Sequence, residues 1–374
     1  MSTYIVVGAG ILGASTAYHL AKAGATVIVI DREDKGQATD AAAGIVCPWL
    51  SQRRNKAWYN LAKSGARYYS TLIKKLEDEG EKNTGYKKVG AISLHTIEDK
   101  LDKMVERAQV RREDAPEIGD ITKLGSSKTK EYFPPVSNEY ASVYISGAAR
   151  VNGRELRNAL LRAAKKNGAV IRTGDASLLC EENNVTGVKI GEEQIIADSV
   201  IITAGAWANE IIEPLGMKFL VSPQKAQIVH LQLEHTSTEN WPVVMPPNDQ
   251  YLLAFDEGRI VIGATHENEK GFDRRVTAGG LHEVFTKALT VAPGLSNATV
   301  VETRVGFRPF TPDFLPVIGT VPTFKNVFVA NGLGASGLTV GPFLGSQLAK
   351  LAMDQQLEID LSLYDVAGAF ELNP

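Results

Sequence analysis

The stretch that decides the fold is residues 4–31, YIVVGAGILGASTAYHLAKAGATVIVID. A short β-branched run at residues 4–7 is followed by Gly8, Gly10 and Gly13, which have the G-x-G-x-x-G spacing that opens a helix directly after a strand. The first glycine allows a tight turn, the second lets a pyrophosphate approach the backbone, and the third lets the helix pack closely on the strand. Because free N–H groups and the positive end of the helix then face the phosphates, the pattern predicts a dinucleotide site.

The rest of this stretch favours that interpretation over an ordinary glycine turn. Residues 14–23 carry apolar residues at helical spacing, Gly24 ends the helix, and residues 26–30 have the composition of a buried strand. Asp31 follows roughly 20 residues after the glycines, where an acid binds the ribose hydroxyls. Arg32 argues only weakly for a cofactor with a 2′-phosphate.

The composition of the whole chain excludes several classes of function. With 374 residues the chain exceeds the size of one core, which predicts two domains or one domain with a large insertion. The net charge of −3 leaves no basic excess to bind nucleic acid or an anionic membrane. The two cysteines and six scattered histidines predict no disulfide framework and no metal site. Without a signal peptide, or an apolar stretch of about 18–20 residues, a cytoplasmic protein with no membrane span is expected.

The dinucleotide-binding pattern is interrupted after Asp31, whereas a nicotinamide enzyme would continue directly into a third strand. Residues 37–49, QATDAAAGIVCPW, offer small side chains against which a flat ring can lie. An amphipathic helix and a strand at residues 151–182, and a buried strand leading into small residues at 197–209, supply the missing continuation. Residues 218–301 alternate as short strands separated by turns, which predicts an antiparallel sheet. The cofactor domain is therefore expected to be split by insertions.

Residues 56–135, in the first insertion, have a simpler pattern. Apolar residues at helical spacing predict a helix over 56–75, VGAISL predicts a strand over 89–94, and a further helix is expected over 97–107. Residues 124–135 are expected to form a loop that ends in a Pro-Pro pair, and residues 119–130 a connecting surface segment.

The last third of the chain contains two more signals. In residues 305–319, VGFRPFTPDFLPVIG, Pro309 favours extended backbone at Arg308, whose side chain would project from a strand end. In residues 326–345, NVFVANGLGASGLTVGPFLG, a strand again delivers a glycine loop to a helix N-terminus. Two such termini suit a flavin dinucleotide, because one can bind the pyrophosphate and the other can stabilise negative charge on the reduced ring.

These segments, in this order, resemble the D-amino acid oxidase family of FAD-dependent flavoproteins, and most specifically its glycine oxidase branch. The resemblance covers the whole chain and includes residues 4–31, ATDAAAGI, ITAGAWA, QYLLAF with GRIVIGAT, the segment around Arg308 and the last glycine loop. The arginine segment is also similar to the D-amino acid dehydrogenases, which are usually longer. Sarcosine oxidases with covalent flavin carry a cysteine near this arginine, and residues 303–319 contain none, which implies non-covalent FAD.

The resemblance implies an α/β fold, α+β overall, in which a Rossmann-like FAD-binding domain carries an inserted antiparallel-sheet substrate domain. The FAD-binding domain would comprise residues 1–46, 146–217 and 313–374. The substrate-binding domain would comprise residues 47–145 and 218–312.

The resemblance also implies a set of site residues. Arg308 would bind the substrate carboxylate together with the hydroxyl of Tyr251, and His266 and Cys47 would line the substrate pocket. The residues implied to bind FAD are Gly8, Gly10, Ile11, Leu12, Gly13, Asp31, Arg32, Thr39, Ala42, Ala43, Gly44, Ile45, Ala176, Ala204, Gly205, Trp207, Gly306, Arg308, Leu333, Gly334, Ala335, Ser336, Gly337 and Leu338.

Each candidate also has a purely structural interpretation. Arg308 would form a surface ion pair, Tyr251 would be a core aromatic of a strand, and His266 would be a turn residue. Cys47 is better explained as a small packed hydrophobe than as a nucleophile. Asp313 is most simply a turn residue or a partner of a helix dipole.

The function that the resemblance implies is that of an FAD-dependent amino acid oxidase. Glycine, sarcosine or small D-amino acids would be oxidised by hydride transfer to flavin N5, giving a 2-oxo acid, ammonia or an amine, and hydrogen peroxide, with a role in thiamine biosynthesis. The partners would be the amino acid and dioxygen, with no nucleic acid and a possible homo-oligomer. The alternatives are a dehydrogenase for D-amino or 2-hydroxy acids that passes electrons to a quinone, and a non-catalytic flavoprotein.

Overall fold

The computed structural model describes residues 2–372. The strands are Thr3–Val7 (β1), Thr26–Asp31 (β2), Ile45–Val46 (β3), Tyr86–Lys88 (β4), Ala91–His95 (β5), Ile121–Leu124 (β6), Ala141–Ile145 (β7), Ala149–Val151 (β8), Val170–Thr173 (β9), Ala176–Glu181 (β10), Asn184–Ile190 (β11), Glu193–Ile196 (β12), Ser199–Ile202 (β13), Met217–Phe219 (β14), Ser222–Gln232 (β15), Val243–Met245 (β16), Tyr251–Ala254 (β17), Arg259–Gly263 (β18), Thr299–Phe310 (β19), Val317–Thr320 (β20), Val327–Asn331 (β21) and Phe370–Leu372 (β22). The α-helices are Ile11–Lys22 (α1), Ala38–Ala41 (α2), Lys56–Asp78 (α3), Glu98–Arg112 (α4), Ser126–Tyr132 (α5), Gly153–Lys166 (α6), Ala208–Ile212 (α7), Ala278–Val291 (α8) and Gly337–Ala352 (α9).

A six-stranded sheet in the order β20-β21-β13-β1-β2-β9 forms the centre of the nucleotide-binding part. All neighbouring pairs are parallel except β20 with β21. The side chains of β1 alternate between two cores: Tyr4 and Val6 pack with α1, whereas Ile5 and Val7 pack with Val188 of β11 on the other face. Burial on both faces explains why β1 is a continuous apolar run instead of an alternating one.

An eight-stranded sheet, β19-β15-β18-β17-β16-β5-β7-β6, forms the second part. Its pairs are antiparallel except β16 with β5. The long strands β15 and β19 pair over their length and place Gln224 directly opposite Arg308. The predicted fold class, a parallel nucleotide-binding sheet combined with an antiparallel sheet, is confirmed. The domain limits given above remain a proposal.

Helix α3 packs against α9. It is capped by Asn55, whose side chain accepts a hydrogen bond of 2.9 Å from the N–H of Trp58. A β-carbon at Gly65 would overlap the backbone of Thr339, so this glycine allows the two helices to approach closely. The hydroxyl of Tyr69 donates to the carbonyl of Leu338 at the same contact.

The prediction of a loop over residues 124–135 is wrong in part. The prediction that residues 119–130 only form a connecting surface segment is also wrong in part. Strand β6 forms the edge of the eight-stranded sheet, and the seven-residue helix α5 follows it. Polar residues dominate α5, so no apolar periodicity signals a helix there. Its buried Thr129 is instead held by a hydrogen bond of 2.8 Å between its hydroxyl and that of Ser142.

His19 on α1 is partly buried and neutral. Its Nδ1 lies 2.7 Å from the carbonyl of Ser15, and its Nε2 lies 2.6 Å from the hydroxyl of Tyr68. A neutral ring satisfies both contacts by donating from Nδ1 and accepting at Nε2. Burial lowers the pKa of His19 from 6.5 to about 4.

This pKa predicts a specific acid sensitivity. Below pH 6.5 the unfolded chain binds a proton at His19, whereas the folded protein binds it only near pH 4. The free energy of unfolding is therefore unaffected by this group above pH 6.5 and falls between pH 6.5 and 4, by up to about 3 kcal/mol. Urea unfolding of His19→Gln across this range should show a shallower pH dependence. His282→Gln, at an exposed position of α8, is the control, and an unchanged slope in His19→Gln would contradict the assignment.

Candidate active site

A cavity lies at the carboxyl ends of β1, β13 and β21 and extends to β19 and β17. Parallel sheets bind ligands at this edge. The predicted site residues in its wall are Gly8, Gly10, Ile11, Leu12, Asp31, Arg32, Thr39, Ala42, Ala43, Gly44, Ile45, Ala176, Ala204, Gly205, Trp207, Tyr251, Gly306, Arg308, Leu333, Gly334, Ala335, Gly337 and Leu338. Gly13, Ser336, Cys47 and His266 lie outside this wall.

The glycine turn after β1 is built so tightly that larger residues do not fit. Gly8 has a φ of +104°, and a β-carbon there would lie 2.6 Å from the carbonyl oxygen of Thr203. A β-carbon at Gly13 would overlap the carbonyl oxygen of Gly8 and lie 2.5 Å from the hydroxyl oxygen of Thr203. That hydroxyl donates to the carbonyls of Val7 and Gly8. Gly13 therefore packs the helix on the turn, which is the role expected of the third glycine.

Helix α1 presents its N-terminus to the cavity. Its N-cap Gly10 has no side chain to satisfy the first-turn N–H groups, and Ile11 N–H donates to the hydroxyl of Thr39 over 3.0 Å. The positive end of this helix is suited to a pyrophosphate.

Asp31 and Arg32 are engaged by neighbouring protein groups. The Asp31 carboxylate accepts hydrogen bonds from the N–H of Ala9, at 2.5 Å, and from the side chain of Gln37, at 2.8 Å. These hydrogen bonds connect the glycine turn to β2. The contact of Asp31 with a ribose stays a prediction. The Arg32 guanidinium pairs with Asp34, Asp175 and Glu210, at 2.7, 3.2 and 2.9 Å. Because these three carboxylates neutralise the Arg32 guanidinium, Arg32 is poorly suited to bind a cofactor with a 2′-phosphate.

The second glycine loop also lines the cavity. Asn331, at the end of β21, donates to the carbonyl of Gly205 over 2.9 Å and accepts from the N–H of Gly332. Gly334 has a φ of +51°, and a β-carbon there would overlap the ring of Phe310. Helix α9 then begins without a side-chain cap. A helix terminus of this kind stabilises negative charge on a bound ring.

Arg308 and Tyr251 face the cavity together from β19 and β17. One terminal nitrogen of Arg308 donates to the side-chain oxygen of Gln224 over 3.0 Å and lies 3.4 Å from the carbonyl of Thr265. Burial lowers the pKa of Arg308, and burial raises the pKa of the Tyr251 hydroxyl, with Arg308 opposing the latter shift. Among residues 2–372, no carboxylate lies within 4.0 Å of this guanidinium. A partly buried, unmatched arginine beside a hydroxyl is suited to binding a carboxylate.

The two further pocket candidates differ in environment. His266 is 40% exposed, and its Nδ1 lies 3.7 Å from the carboxylate of Asp249. Burial, followed by the charge of Arg308, lowers its pKa. Cys47 is buried, and this burial raises the pKa of its thiol to about 12. A thiol that stays protonated at neutral pH agrees with a packing role.

The residues of this cavity fit a flavin dinucleotide. One glycine turn and helix terminus suit the pyrophosphate, and a second such pair lies beside the surface formed by Ala43, Gly44 and Ile45, where a flat ring can lie. Gly44 has a φ of +96°, and a β-carbon there would overlap the carbonyl of Val151. Among residues 2–372, no group of three or more His, Cys, Asp or Glu residues is arranged to hold a metal ion. None of the helices in that range has both the length and the hydrophobicity of a transmembrane span.

The fold and the site thus define a flavin-dependent oxidoreductase. The chain belongs to the DAO family of FAD-dependent oxidoreductases, whose family model matches residues 3–351. The predicted family, enzyme class and FAD cofactor are confirmed.

Three comparisons place the chain within this family. It is 67% identical over 370 residues to the uncharacterized oxidoreductase YurR of Bacillus subtilis (strain 168), covering 99% of this chain and 100% of that protein. The crystal structure of iminodiacetate oxidase (IdaA) from Chelativorans sp. BNC1 is 46% identical, with a TM-score of 0.94 and coverage of 97% and 98% of the two chains. The crystal structure of glycine oxidase from Geobacillus kaustophilus is 25% identical, with a TM-score of 0.85 and coverage of 98% and 99%.

Several site residues were missed by sequence reasoning. Thr203 closes the glycine turn, and its position directly after a buried strand in front of Ala204 and Gly205 was an available signal. Gln224 and Thr265 fix Arg308, but their sequence neighbourhood carries no signal for this contact, which arises from strand pairing.

Proposed function

We propose that this protein is an FAD-dependent amino acid oxidase of the glycine oxidase type. The observation that carries the proposal is the Arg308 guanidinium, which faces the cavity beside Tyr251 with no carboxylate within 4.0 Å among residues 2–372. A substrate carboxylate would complete this arrangement with two parallel hydrogen bonds. Gln224 and Thr265 would hold the guanidinium in the required orientation.

The chemistry follows from the position of that carboxylate. Arg308 and the hydroxyl of Tyr251 would bind it. The neighbouring α-carbon and its neutral amine would then be oriented toward the flavin ring. FAD, when bound, accepts the α-hydrogen with its electron pair and passes the electrons to dioxygen, which becomes hydrogen peroxide. The resulting imine is hydrolysed in water to a 2-oxo acid and ammonia or an amine. The protein residues would contribute mainly orientation and charge stabilisation, and no side-chain base is required.

The substrate class that we propose is glycine and its N-substituted derivatives, together with small D-amino acids. The names of two similar proteins, a glycine oxidase and an iminodiacetate oxidase, support this choice. Glycine and iminodiacetate both contain a methylene group between an amine and a carboxylate. Non-covalent attachment of the FAD is part of the proposal, because residues 303–319 contain no cysteine.

Oxygen consumption and peroxide release test this proposal. Purified protein supplied with glycine, sarcosine, iminodiacetate, proline or D-alanine should consume dioxygen and release an equal amount of peroxide with at least one of them. An artificial dye should not be needed as the acceptor. Reduction of a dye or a quinone without oxygen consumption would instead indicate a dehydrogenase, and the absence of any turnover would indicate a non-catalytic flavoprotein.

A further inference from the structure

One row of paired residues crosses β15, β18 and β17 at the part of the cavity that holds Tyr251. Ile228 on β15 is paired with Gly263 on β18, and Gly263 is paired in turn with Tyr251 on β17. Directly paired residues of neighbouring strands point to the same face of a sheet. Ile228 and Tyr251 therefore stand on either side of a glycine, and both line the cavity. The row places an aliphatic side chain across from the hydroxyl that is proposed to bind the substrate carboxylate.

Gly263 brings these two side chains close together. A β-carbon at this position would lie 2.7 Å from the Cγ2 methyl carbon of Ile228 and 3.2 Å from the hydroxyl oxygen of Tyr251. The methyl carbon and the hydroxyl oxygen are therefore at most about 6 Å apart, which is the sum of these distances. Arg308 points to the same face, because its partner Gln224 and Ile228 are an even number of residues apart on β15. The methyl group of Ile228 is thus a neighbour of the proposed carboxylate site.

Ile228 is held firmly in this position. It belongs to a strand that is paired on both sides, and only 3% of the residue is exposed. A β-branched side chain also has few rotamers, so its movement would open little space. Ile228 therefore forms a fixed wall of the cavity.

The neighbouring cation on β19 offers no free charge at this wall. Arg304 is paired directly opposite Ile228. One of its terminal nitrogens lies 2.8 Å from the carboxylate of Glu302, and the other donates over 3.2 Å to the carbonyl of Asp40. Beside the methyl group of Ile228 an amine would lose its hydrogen bonds with water, whereas an apolar substituent would not. The wall is therefore suited to the α side chain of a substrate and not to its amine.

We propose that Ile228 limits the size of the substituent on the α-carbon of the substrate. This inference rests on the proposed function and specifies its substrate class: glycine, N-alkylated glycines and D-alanine fit, whereas branched D-amino acids are poor substrates. The α-carbon of a carboxylate bound by Tyr251 lies roughly 4 Å from the hydroxyl oxygen. A side chain that extends from this carbon toward β15 by more than one carbon atom meets the methyl group of Ile228.

The test compares substrates with and without an α side chain. The side-chain ratio is kcat/KM for D-valine divided by kcat/KM for the best substrate among glycine, sarcosine and iminodiacetate. In Ile228→Ala this ratio should rise by about 10- to 100-fold, because an extra methylene group in an apolar pocket changes specificity by about this factor. Ile228→Val, the milder change, should raise the ratio less. The preference for N-ethylglycine over sarcosine should stay unchanged, because the N-substituent would not face this wall.

Val229→Ala is the matched control. Val229 is the next residue of β15, is fully buried and packs in the core on the opposite face of the sheet. Its truncation should lower the melting temperature of the protein and leave the side-chain ratio at the wild-type value.

An unchanged side-chain ratio in both Ile228 variants, measured with a normal flavin content, would overturn the role of Ile228. So would an equal rise in Val229→Ala, a larger gain for N-ethylglycine than for D-valine, or a wild-type protein that oxidises D-valine as readily as its best substrate without a side chain. In each of these cases the proposed function stands. A wild-type flavin that is reduced by no amino acid would overturn the proposed function together with this inference.

Discussion

Arg308→Ala should lower kcat/KM for every amino acid substrate by about 10²- to 10³-fold, because it removes the partner of the substrate carboxylate. The loss is expected to exceed that of an ordinary hydrogen bond, since a charged group would lose a charged partner in a partly buried site. Gln224 and Thr265 would also lose the group that they hold. FAD content, measured by absorbance, should stay near that of the wild type, because the proposed pyrophosphate site at Gly8 and Gly10 is unchanged.

Two further variants make this result interpretable. Arg308→Lys should recover only part of the loss, because a lysine supplies the charge without two parallel donors. Arg274→Ala removes an exposed arginine from the connection between β18 and α8 and should leave kcat/KM unchanged. Wild-type kcat/KM in Arg308→Ala, with a normal flavin content, would show that the carboxylate binds elsewhere.

Gly13→Ala should produce the second large effect, which is loss of bound FAD together with loss of stability. A β-carbon at this position would overlap the carbonyl oxygen of Gly8 and lie 2.5 Å from the hydroxyl oxygen of Thr203. Either helix α1 or the glycine turn must move, and overpacking of this kind typically costs about 1–3 kcal/mol. The purified variant should carry little flavin, and its dissociation constant for added FAD should rise by at least about 100-fold, equivalent to about 3 kcal/mol.

Alanine variants of two other glycines distinguish a loss of stability from a loss of contact with FAD. Gly125 has a φ of −68° and no atom within 4 Å of a β-carbon, so Gly125→Ala should behave as the wild type. At Gly10 the nearest atom to a β-carbon is the hydroxyl oxygen of Thr39, at 3.4 Å. Gly10→Ala should therefore keep its stability and lose FAD affinity through the approach of the methyl group to the pyrophosphate. A Gly13→Ala protein that purifies with a full complement of FAD would contradict this account of the turn.

The nucleotide-binding part of the fold could be predicted because its determinants are local. The glycine spacing, the β-branched runs and Gly24 specify β1, α1 and β2 within one to three residues. The predicted start of α1 at residue 14 was late, since the helix begins at Ile11 inside the glycine pattern. Helix α5 was missed because tertiary contacts and not periodicity stabilise it.

The site could be predicted where single residues impose a backbone or charge requirement. Gly8, Gly44 and Gly334 have positive φ angles that explain their residue type without further context. By contrast, Gln224 and Arg308 are 84 residues apart, and Trp58 and Ser336 are 278 apart. Only the folded sheets and helices bring these pairs together.

Anaerobic reduction of the bound flavin tests the central claim most directly, because it requires FAD in the cavity and an amino acid bound against it at the same time. Addition of glycine, sarcosine or iminodiacetate without oxygen should bleach the flavin absorbance of the wild-type protein, and admission of air should restore it. Arg308→Ala should need far higher substrate concentrations for the same bleaching. A flavin that stays oxidised with every one of these compounds, or purified protein that cannot take up FAD, would contradict the account.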